Sequence, residues 1–257
     1  MIGTRLQGKV AVVTGTSSGI GPGIARRVAL EGAKLIATDV DDAPAQALVD
    51  ELREQGAEAT FVHADLTVED DVKALMDAAR ATYGSLTTLI NCAAFSPVVG
   101  GDAPLVEVSN ETLQKAIAIN IFGLVWSCKY ALPHLLESGN GSITNLSSVV
   151  TDMGGPMFTA YPMTKGATVS LTRSLAKRYQ TEGVRVNLLN IGTIHSERNT
   201  KHITDIEFAK KYRVEDRWPP QGLGSPDDVA WASVWLASDE ARFVTNGTIP
   251  VNGGVVA

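Results

Sequence analysis

The sequence predicts an α/β fold: one doubly wound domain with a mainly parallel sheet of about seven strands and helices on both faces. Three observations carry this. Short apolar runs alternate with amphipathic segments from one end of the 257-residue chain to the other. The first run, "KVAVVTG" (9–15), is continuously apolar and β-branched, as a strand buried on both faces must be. No Pro/Gly/Ser-rich linker and no repeat of about 20–50 residues divides the chain, so 1–257 is expected to be a single domain.

Each element follows from its own pattern. A helix pattern runs from Gly19 to about Glu31, and "KLIATD" (34–39) is the next strand. Ala47, Leu48 and Leu52 mark a second helix, and "EATFVHADL" (58–66) a third strand. Val72, Leu75, Met76 and Ala79 recur at helical spacing within 69–83. "LTTLINCA" (86–93) is the fourth strand, and a long helical region covers about 111–137, its apolar face interrupted by Asn120 and Gly123. "GSITNLSS" (141–148) is the fifth strand, the helix after Tyr161 runs to about Glu182, and "VRVNLLNIG" (184–192) is the sixth. The polar stretch 193–222 is too long for an ordinary connection and is expected to be a lid over the substrate. "SPDD" caps a helix from Pro226 to Ser238, and the last strand lies near "TIPVNGG" (248–254).

Hydrophobic residues make up 44% and charged residues 19%, which suits a packed core and excludes a disordered chain. No apolar run reaches the roughly 18 residues that span a bilayer, and the N-terminus lacks the pattern of a signal peptide. A soluble, cytoplasmic protein is expected. The net charge of −6 argues against a nucleic-acid binder. Cys92 and Cys128 have no CxxC spacing and no His pattern, so no metal site is expected and both are read as reduced thiols.

The first strand ends in "TGTSSGIG" (14–21). Gly15 permits a tight turn, Gly19 lets the backbone approach a pyrophosphate, and Gly21 lets the helix pack near the sheet. The helix start then offers free N–H groups and a positive dipole end to phosphates. Pro22 suits that first turn, where no N–H is needed. A glycine triplet alone also describes a plain turn; its place after the first strand points to a dinucleotide. Asp39 ends the second strand about 20 residues on, where a carboxylate accepts ribose hydroxyls and repels the 2′-phosphate of NADP. Val40, Asp41 and Asp42 follow without an arginine, so NAD(H) is the expected cofactor and NADP is disfavoured. Asp65 suits either the adenine edge or a turn cap.

"AYPMTKGA" (160–167) places Tyr161 four residues before Lys165, a spacing that alone decides nothing. With the glycine turn it acquires a pattern. The chain resembles the short-chain dehydrogenase/reductase family: Thr14, Gly15, Gly19 and Gly21 match its glycine motif, Asn91-Cys92-Ala93-Ala94 its motif after the fourth strand, and Asn120 its mid-helix Asn. Ser148, thirteen residues before Tyr161, matches its serine, and Tyr161 and Lys165 its Tyr-x-x-x-Lys. The resemblance runs from about residue 8 to 254 and implies a Rossmann-type fold and hydride transfer with a nicotinamide cofactor. Three departures stand out: Ala94 replaces a glycine, Ile191 the proline before Gly192, and Asn252 an Asp.

The resemblance also implies roles. Tyr161 is the acid/base, Ser148 holds the substrate oxygen, Lys165 supports Tyr161 and binds the nicotinamide ribose, and Asn120 holds a proton-relaying water. The cofactor set it implies takes in Gly15, Ser17, Ser18, Gly19, Ile20 and Gly21 in the turn. It continues through Asp39, Asp65, Leu66, Asn91 and Ala93 to Tyr161, Lys165, Gly192, Ile194 and Ser196. A free tyrosine titrates near 10. An ammonium about 4 Å away is worth roughly 4 kcal/mol at an effective dielectric of about 20, enough to lower that value by up to about three against the cost of burial.

Phe95, Val98, Val150, Met153, Met157 and Phe158 predict an apolar wall, with Phe95, Ser148, Val150, Met157 and Tyr161 as the substrate contacts. Neither 95–99 nor 149–158 holds an arginine or lysine. The expected substrate is an uncharged, fairly apolar secondary alcohol or ketone, although His195, Arg198, Lys201 and His202 in the lid offer charge. A homotetramer through 111–137, 159–182 and the last strand is implied by the family. Two alternatives stay open: a 3-oxoacyl-[acyl-carrier-protein] reductase, against which Asp39 and the acidic balance weigh, and an idle NAD-binding sensor, against which Ser148, Tyr161 and Lys165 weigh. Pro162 disfavours a helical residue before it yet suits a first helical turn, so Tyr161 is expected at the start of its helix.

Overall fold

The computed structural model describes residues 2–97, 100–196 and 222–256. Most of the expected lid, with Arg198, Lys201 and His202, lies outside the described residues, as does Val98 of the expected wall.

The strands are β1 (Val10–Thr14), β2 (Lys34–Asp39), β3 (Ala59–His63), β4 (Thr88–Asn91), β5 (Gly141–Ser148), β6 (Val184–Ile191) and β7 (Thr248–Val251). They form one sheet in the order β3-β2-β1-β4-β5-β6-β7, and every neighbouring pair is parallel. The helices are α1 (Gly21–Leu30), α2 (Asp42–Glu54), α3 (Glu69–Tyr83), α4 (Asn110–Ile117), α5 (Leu124–Ser138), α6 (Val150–Met153), α7 (Ala160–Tyr179) and α8 (Pro226–Ala237).

β1 shows why the sheet is covered on both sides. Its side chains alternate: Ala11 and Val13 join a core with Ile24, Val28, Leu48 and Val229, while Val10 and Val12 join one with Val72, Leu75, Leu135 and Ile143. The first core lies under α1, α2 and α8, the second under α3, α5 and α7. Each fully buried aliphatic side chain contributes about 1.5–3 kcal/mol.

The strand register brings the chemistry to one edge. Thr14 pairs with Thr38 on one side and Asn91 on the other, and Ser148 pairs with Ile191. The strand order reverses direction at β1, so a crevice opens beyond the strand ends between β1 and β4, the usual ligand position in such sheets.

Some boundaries differ from expectation. β3 ends at His63 and β4 at Asn91, so Asp65 and Ala93 sit on the loops beyond. α7 stops at Tyr179, short of Glu182. α6, a single turn after Ser148, had no periodic signal. Between α4 and α5 the helix is continuous but widens into a π-turn over Ala118–Gly123, which is where Asn120 and Gly123 interrupt the apolar face. The whole segment Asn110–Ser138 is long and apolar enough to cross a membrane by composition, contrary to the sequence reading. In the fold Cys128, Ala131, Leu132 and Leu135 pack into the sheet core.

Candidate active site

The glycine turn is built from contacts that admit no side chain. Gly15 has φ 78°, and a Cβ there would lie 2.7 Å from the Ala93 Cα. A Cβ on Gly21 would lie 1.8 Å from the Gly15 carbonyl oxygen. Pro22 stands in the first turn of α1, and no side chain caps that helix. Its start therefore keeps the unpaired N–H groups that favour phosphate. The Thr14 hydroxyl accepts the N–H groups of Cys92 and Ala93, both at 3.1 Å, tying β1 to β4 across the crevice.

Asp39 lies beside this turn. One carboxylate oxygen accepts the Ser17 N–H at 2.9 Å, and the other accepts those of Val40 at 2.8 Å and Asp41 at 3.3 Å. It thus caps its own loop and also faces the cleft. Asp65 accepts the Thr67 N–H and hydroxyl at 2.8 and 2.7 Å, a turn cap that likewise lines the cleft.

The cleft measures about 910 Å³. Gly15, Ser17, Ser18, Gly19, Ile20, Asp39, Asp65, Leu66 and Ala93 line it from the glycine turn. Gly192, Ile194 and Ser196 line it beyond β6, and Phe95, Ser148, Val150, Tyr161 and Lys165 at its inner end. Four of the expected cofactor, catalytic and substrate-contact residues do not reach it. Gly21 packs against Gly15 beneath the turn. Asn91 points into the sheet core, where its amide donates to Asn145 at 2.8 Å. Asn120 uses its side chain inside the protein. Met157 stands off the cleft, and its neighbour Phe158 lines the wall instead. Met153 is exposed and also outside the wall. Lys115, from α4, lines the cleft although the sequence reading looked for cations only in the substrate segments and the lid.

Tyr161 is the second residue of α7, in the first turn as Pro162 predicted. Burial is the largest influence on its phenol and pushes the pKa up to about 12, while the neighbouring Ser148 hydroxyl acts to lower it. Lys165 is buried, its ammonium donates to the Leu146 carbonyl at 2.7 Å, and it stands 5.6 Å from the centre of the Tyr161 ring. Burial holds it down to about 8. The expected lowering of Tyr161 by a nearby ammonium is therefore corrected: in the protein by itself burial raises the phenol's pKa, and Lys165 directs one of its three N–H groups at the Leu146 carbonyl.

Asn120 accepts the Phe95 N–H at 2.7 Å and donates to the Thr164 hydroxyl at 2.8 Å. Thr164 in turn donates to the Tyr161 carbonyl at 3.0 Å. Behind Lys165, Asn120 also borders a small cavity of about 10 Å³ with Thr14, Asn91 and Thr168. Asp102 receives the N–H groups of Thr159, Ala160 and Tyr161 at 3.1, 3.0 and 2.8 Å. The sequence reading missed Asp102, Thr164 and Lys115. Only Thr164, three residues after Tyr161 on the same helix, carried a local signal.

Gly192 also tolerates no side chain: a Cβ would lie 2.7 Å from the Asn252 Cα. Asn252 folds the chain end, accepting the Gly254 N–H at 2.9 Å and donating to the Val256 carbonyl at 3.1 Å.

A doubly wound sheet with a phosphate-type turn at its switch point and a Ser-Tyr-Lys group beside it defines a dinucleotide-dependent oxidoreductase. A family profile described as "Enoyl-(Acyl carrier protein) reductase" matches residues 15–256. Over 97% of its length the chain is 36% identical to 3beta-hydroxysteroid dehydrogenase 1 of Eggerthella lenta, covering 94% of that protein. It is 35% identical to cis-4-hydroxycyclohexanecarboxylate dehydrogenase of Sinomonas cyclohexanicum, with 100% of both chains covered. A gluconate 5-dehydrogenase from Burkholderia cenocepacia, solved in complex with NADP and tartrate, superposes with a TM-score of 0.89 at 28% identity, covering 98% of this chain and 96% of that one. The chain belongs to the short-chain dehydrogenase/reductase family, whose members use nicotinamide cofactors, and its relatives are dehydrogenases acting on alcohols.

Proposed function

We propose that this protein is an NAD-dependent dehydrogenase that moves a hydride between the nicotinamide and an uncharged, fairly apolar secondary alcohol or its ketone, with Tyr161 as acid/base. The observation that carries the reading is the meeting of Ser148, Tyr161 and Lys165 at the inner end of a cleft whose other end is the glycine turn and Asp39.

The residues fit a dinucleotide. Gly15 and Gly21 leave no space for side chains, and the α1 start keeps its amides for a diphosphate. Asp39 would take the adenosine ribose hydroxyls, and Lys165 those of the nicotinamide ribose. When bound, the nicotinamide supplies the hydride acceptor or donor. Ser148 would hold the substrate oxygen against the phenol, which lines the cleft beside it. Tyr161 would take the hydroxyl proton in oxidation and return it in reduction. Its high pKa keeps the phenol protonated at neutral pH, and the positive charge of an oxidised nicotinamide favours the phenolate. The cavity of about 10 Å³ bordered by Asn120 is about the size of one water, which suits a proton exit behind Lys165.

Phe95, Val150 and Phe158 favour an apolar, uncharged substrate. The relatives named for a hydroxysteroid and a hydroxycyclohexanecarboxylate both act on an apolar ring that suits such a wall, and the second substrate also carries a carboxylate. Lys115 is the observation in favour of a second reading, a substrate carrying a carboxylate or a carrier-linked one. A homotetramer in the cytoplasm belongs to the same proposal. Exposed Phe122 and Val125, with Phe122 stacked on Trp126 at 5.5 Å, mark the helix face that would meet another copy; sedimentation velocity reads the state.

The test is absorbance at 340 nm with NAD or NADP across a panel of neutral, acidic and carrier-linked alcohols. Turnover of neutral secondary alcohols with NAD is expected, and Tyr161→Phe should lose at least about 100-fold in kcat while NADH still binds. Preference for a charged or carrier-linked substrate would overturn the substrate class. Undiminished activity of Tyr161→Phe would overturn the mechanism.

A further inference from the structure

We propose that Asp102 is a positioning residue for Tyr161: from a loop 59 residues upstream, its carboxylate fixes the first turn of α7 and so sets where the phenol stands. The inference rests on Tyr161 being the acid/base.

A helix start leaves its first N–H groups without intrahelical partners. Thr159, which flanks α7, offers no side-chain cap. Asp102 supplies the cap from outside. One of its oxygens takes the N–H groups of Thr159 and Ala160, and the other takes that of Tyr161 itself. The first oxygen also accepts the Ala103 N–H at 2.9 Å. Asp102 is only 7% exposed, so a buried anion meets the positive end of a 20-residue helix through charge-assisted bonds. The arrangement needs a carboxylate. An asparagine would turn an NH₂ group toward one of these N–H donors, and a serine has a single oxygen.

The other side of the Tyr161 backbone is held by the same loop. The Tyr161 carbonyl accepts from Thr164, Thr164 from Asn120, and Asn120 takes the N–H of Phe95. Phe95 opens the segment that ends at Asp102, and it packs with Ala160 in one small core. The segment is shaped for this. A Cβ on Gly100 would lie 2.1 Å from the Phe95 ring, Gly101 has φ 76°, and the Asp102 N–H donates to the Pro97 carbonyl at 2.9 Å. Ser96 and Pro97 line the cleft. One loop therefore makes a wall of the cleft and clamps the peptide groups of Tyr161. Asp102 itself makes no contact with the phenol among its hydrogen bonds, so its effect passes through the backbone.

Displacements of about 1 Å at a reacting group cost up to about 100-fold in rate. Asp102→Asn is therefore expected to lower kcat by about 10- to 100-fold, with NADH affinity, read by fluorescence titration, within about twofold of the parent. A phenol moved away from Ser148, whose hydroxyl acts to lower its pKa, should also carry the pH–rate profile to higher pH. Asp102→Glu keeps the charge but shifts it by one methylene; it carries the same expectation if the asparagine variant does not fold. The proposal is overturned if a folded variant keeps kcat within about twofold of the parent, or if kcat, NADH affinity and melting temperature decline together. Turnover surviving in Tyr161→Phe is a separate result, which removes the acid/base reading beneath the proposal.

Discussion

The Lys165 ammonium donates to the Leu146 carbonyl at 2.7 Å, inside a protein interior that holds its pKa down to about 8. In the unfolded chain a lysine titrates near 10.5. Between these values the unfolded state carries a proton that the folded state lacks, so raising the pH favours folding. The contribution is complete above about 10.5 and is lost as the pH falls through about 8. The unfolding free energy of the parent minus that of Lys165→Met should grow with pH across this window by as much as about 3 kcal/mol. Tyr161 acts with the opposite sign between 10 and about 12, and it cancels in the difference because both proteins keep it. Urea unfolding at pH 7.5, 9 and 10 measures the slope; a flat difference would show that Lys165 is not desolvated.

Asp39 places one carboxylate oxygen on the Ser17 N–H and faces the cleft beside it. Replacing it with serine removes a charge from the place where a 2′-phosphate would sit. The ratio of kcat/KM for NADP over NAD should rise by about 10- to 100-fold, the size of a charge repulsion of roughly 2 kcal/mol. A parent enzyme already favouring NADP would refute the assignment of Asp39 as the discriminator.

Gly21 and Gly166 make a matched pair. Alanine at 21 would drive a Cβ to 1.8 Å from the Gly15 oxygen, a clash between two backbone segments. That variant should lose more than about 3 kcal/mol of stability or fail to bind NADH. Alanine at 166, inside α7, meets nothing within 4 Å beyond the backbone of its own helix and should stabilise by about 0.5–1 kcal/mol. Thermal unfolding of the two single variants checks both signs.

Ser225 and Asp228 form a capping box at the start of α8, the serine hydroxyl accepting the Asp228 N–H and the aspartate accepting the Ser225 N–H. Ser225→Ala should cost about 1 kcal/mol in urea unfolding. No change would mean that the box adds nothing beyond its solvated alternatives.

What could be read from the sequence was whatever sits where a strand ends. Gly15 and Ser148 are chemically distinctive residues at such ends, Tyr161 stands at the start of a helix beside them, and the parallel sheet carries all three to one edge whatever the detail between. The π-turn was hidden because an apolar period of 3.6 averages over one widened turn. Asn91 belongs to a motif, but the motif does not say that its side chain turns inward to Asn145. Met157 and Phe158 are equally apolar, and only the backbone after α6 decides which faces the cleft. Asp102 was out of reach because its partners are amides far along the chain, and amides leave no mark in a sequence. Lys115 was overlooked because α4 was read as a packing helix.

The widened turn at Ala118–Gly123 has a consequence for chain length. It accommodates a residue beyond what a regular helix would need. Deleting a single residue there would restore a regular helix with α4 and α5 close to their present register, but it would remove the bulged turn that presents the Asn120 side chain. Asn120 would swing away from Phe95 and Thr164, and the clamp on Tyr161 would open. Insertions at exposed loops such as the one at Gly56 change little, whereas this stretch has a fixed count. Kindred sequences are expected to differ here by exchange of residues and not by gaps.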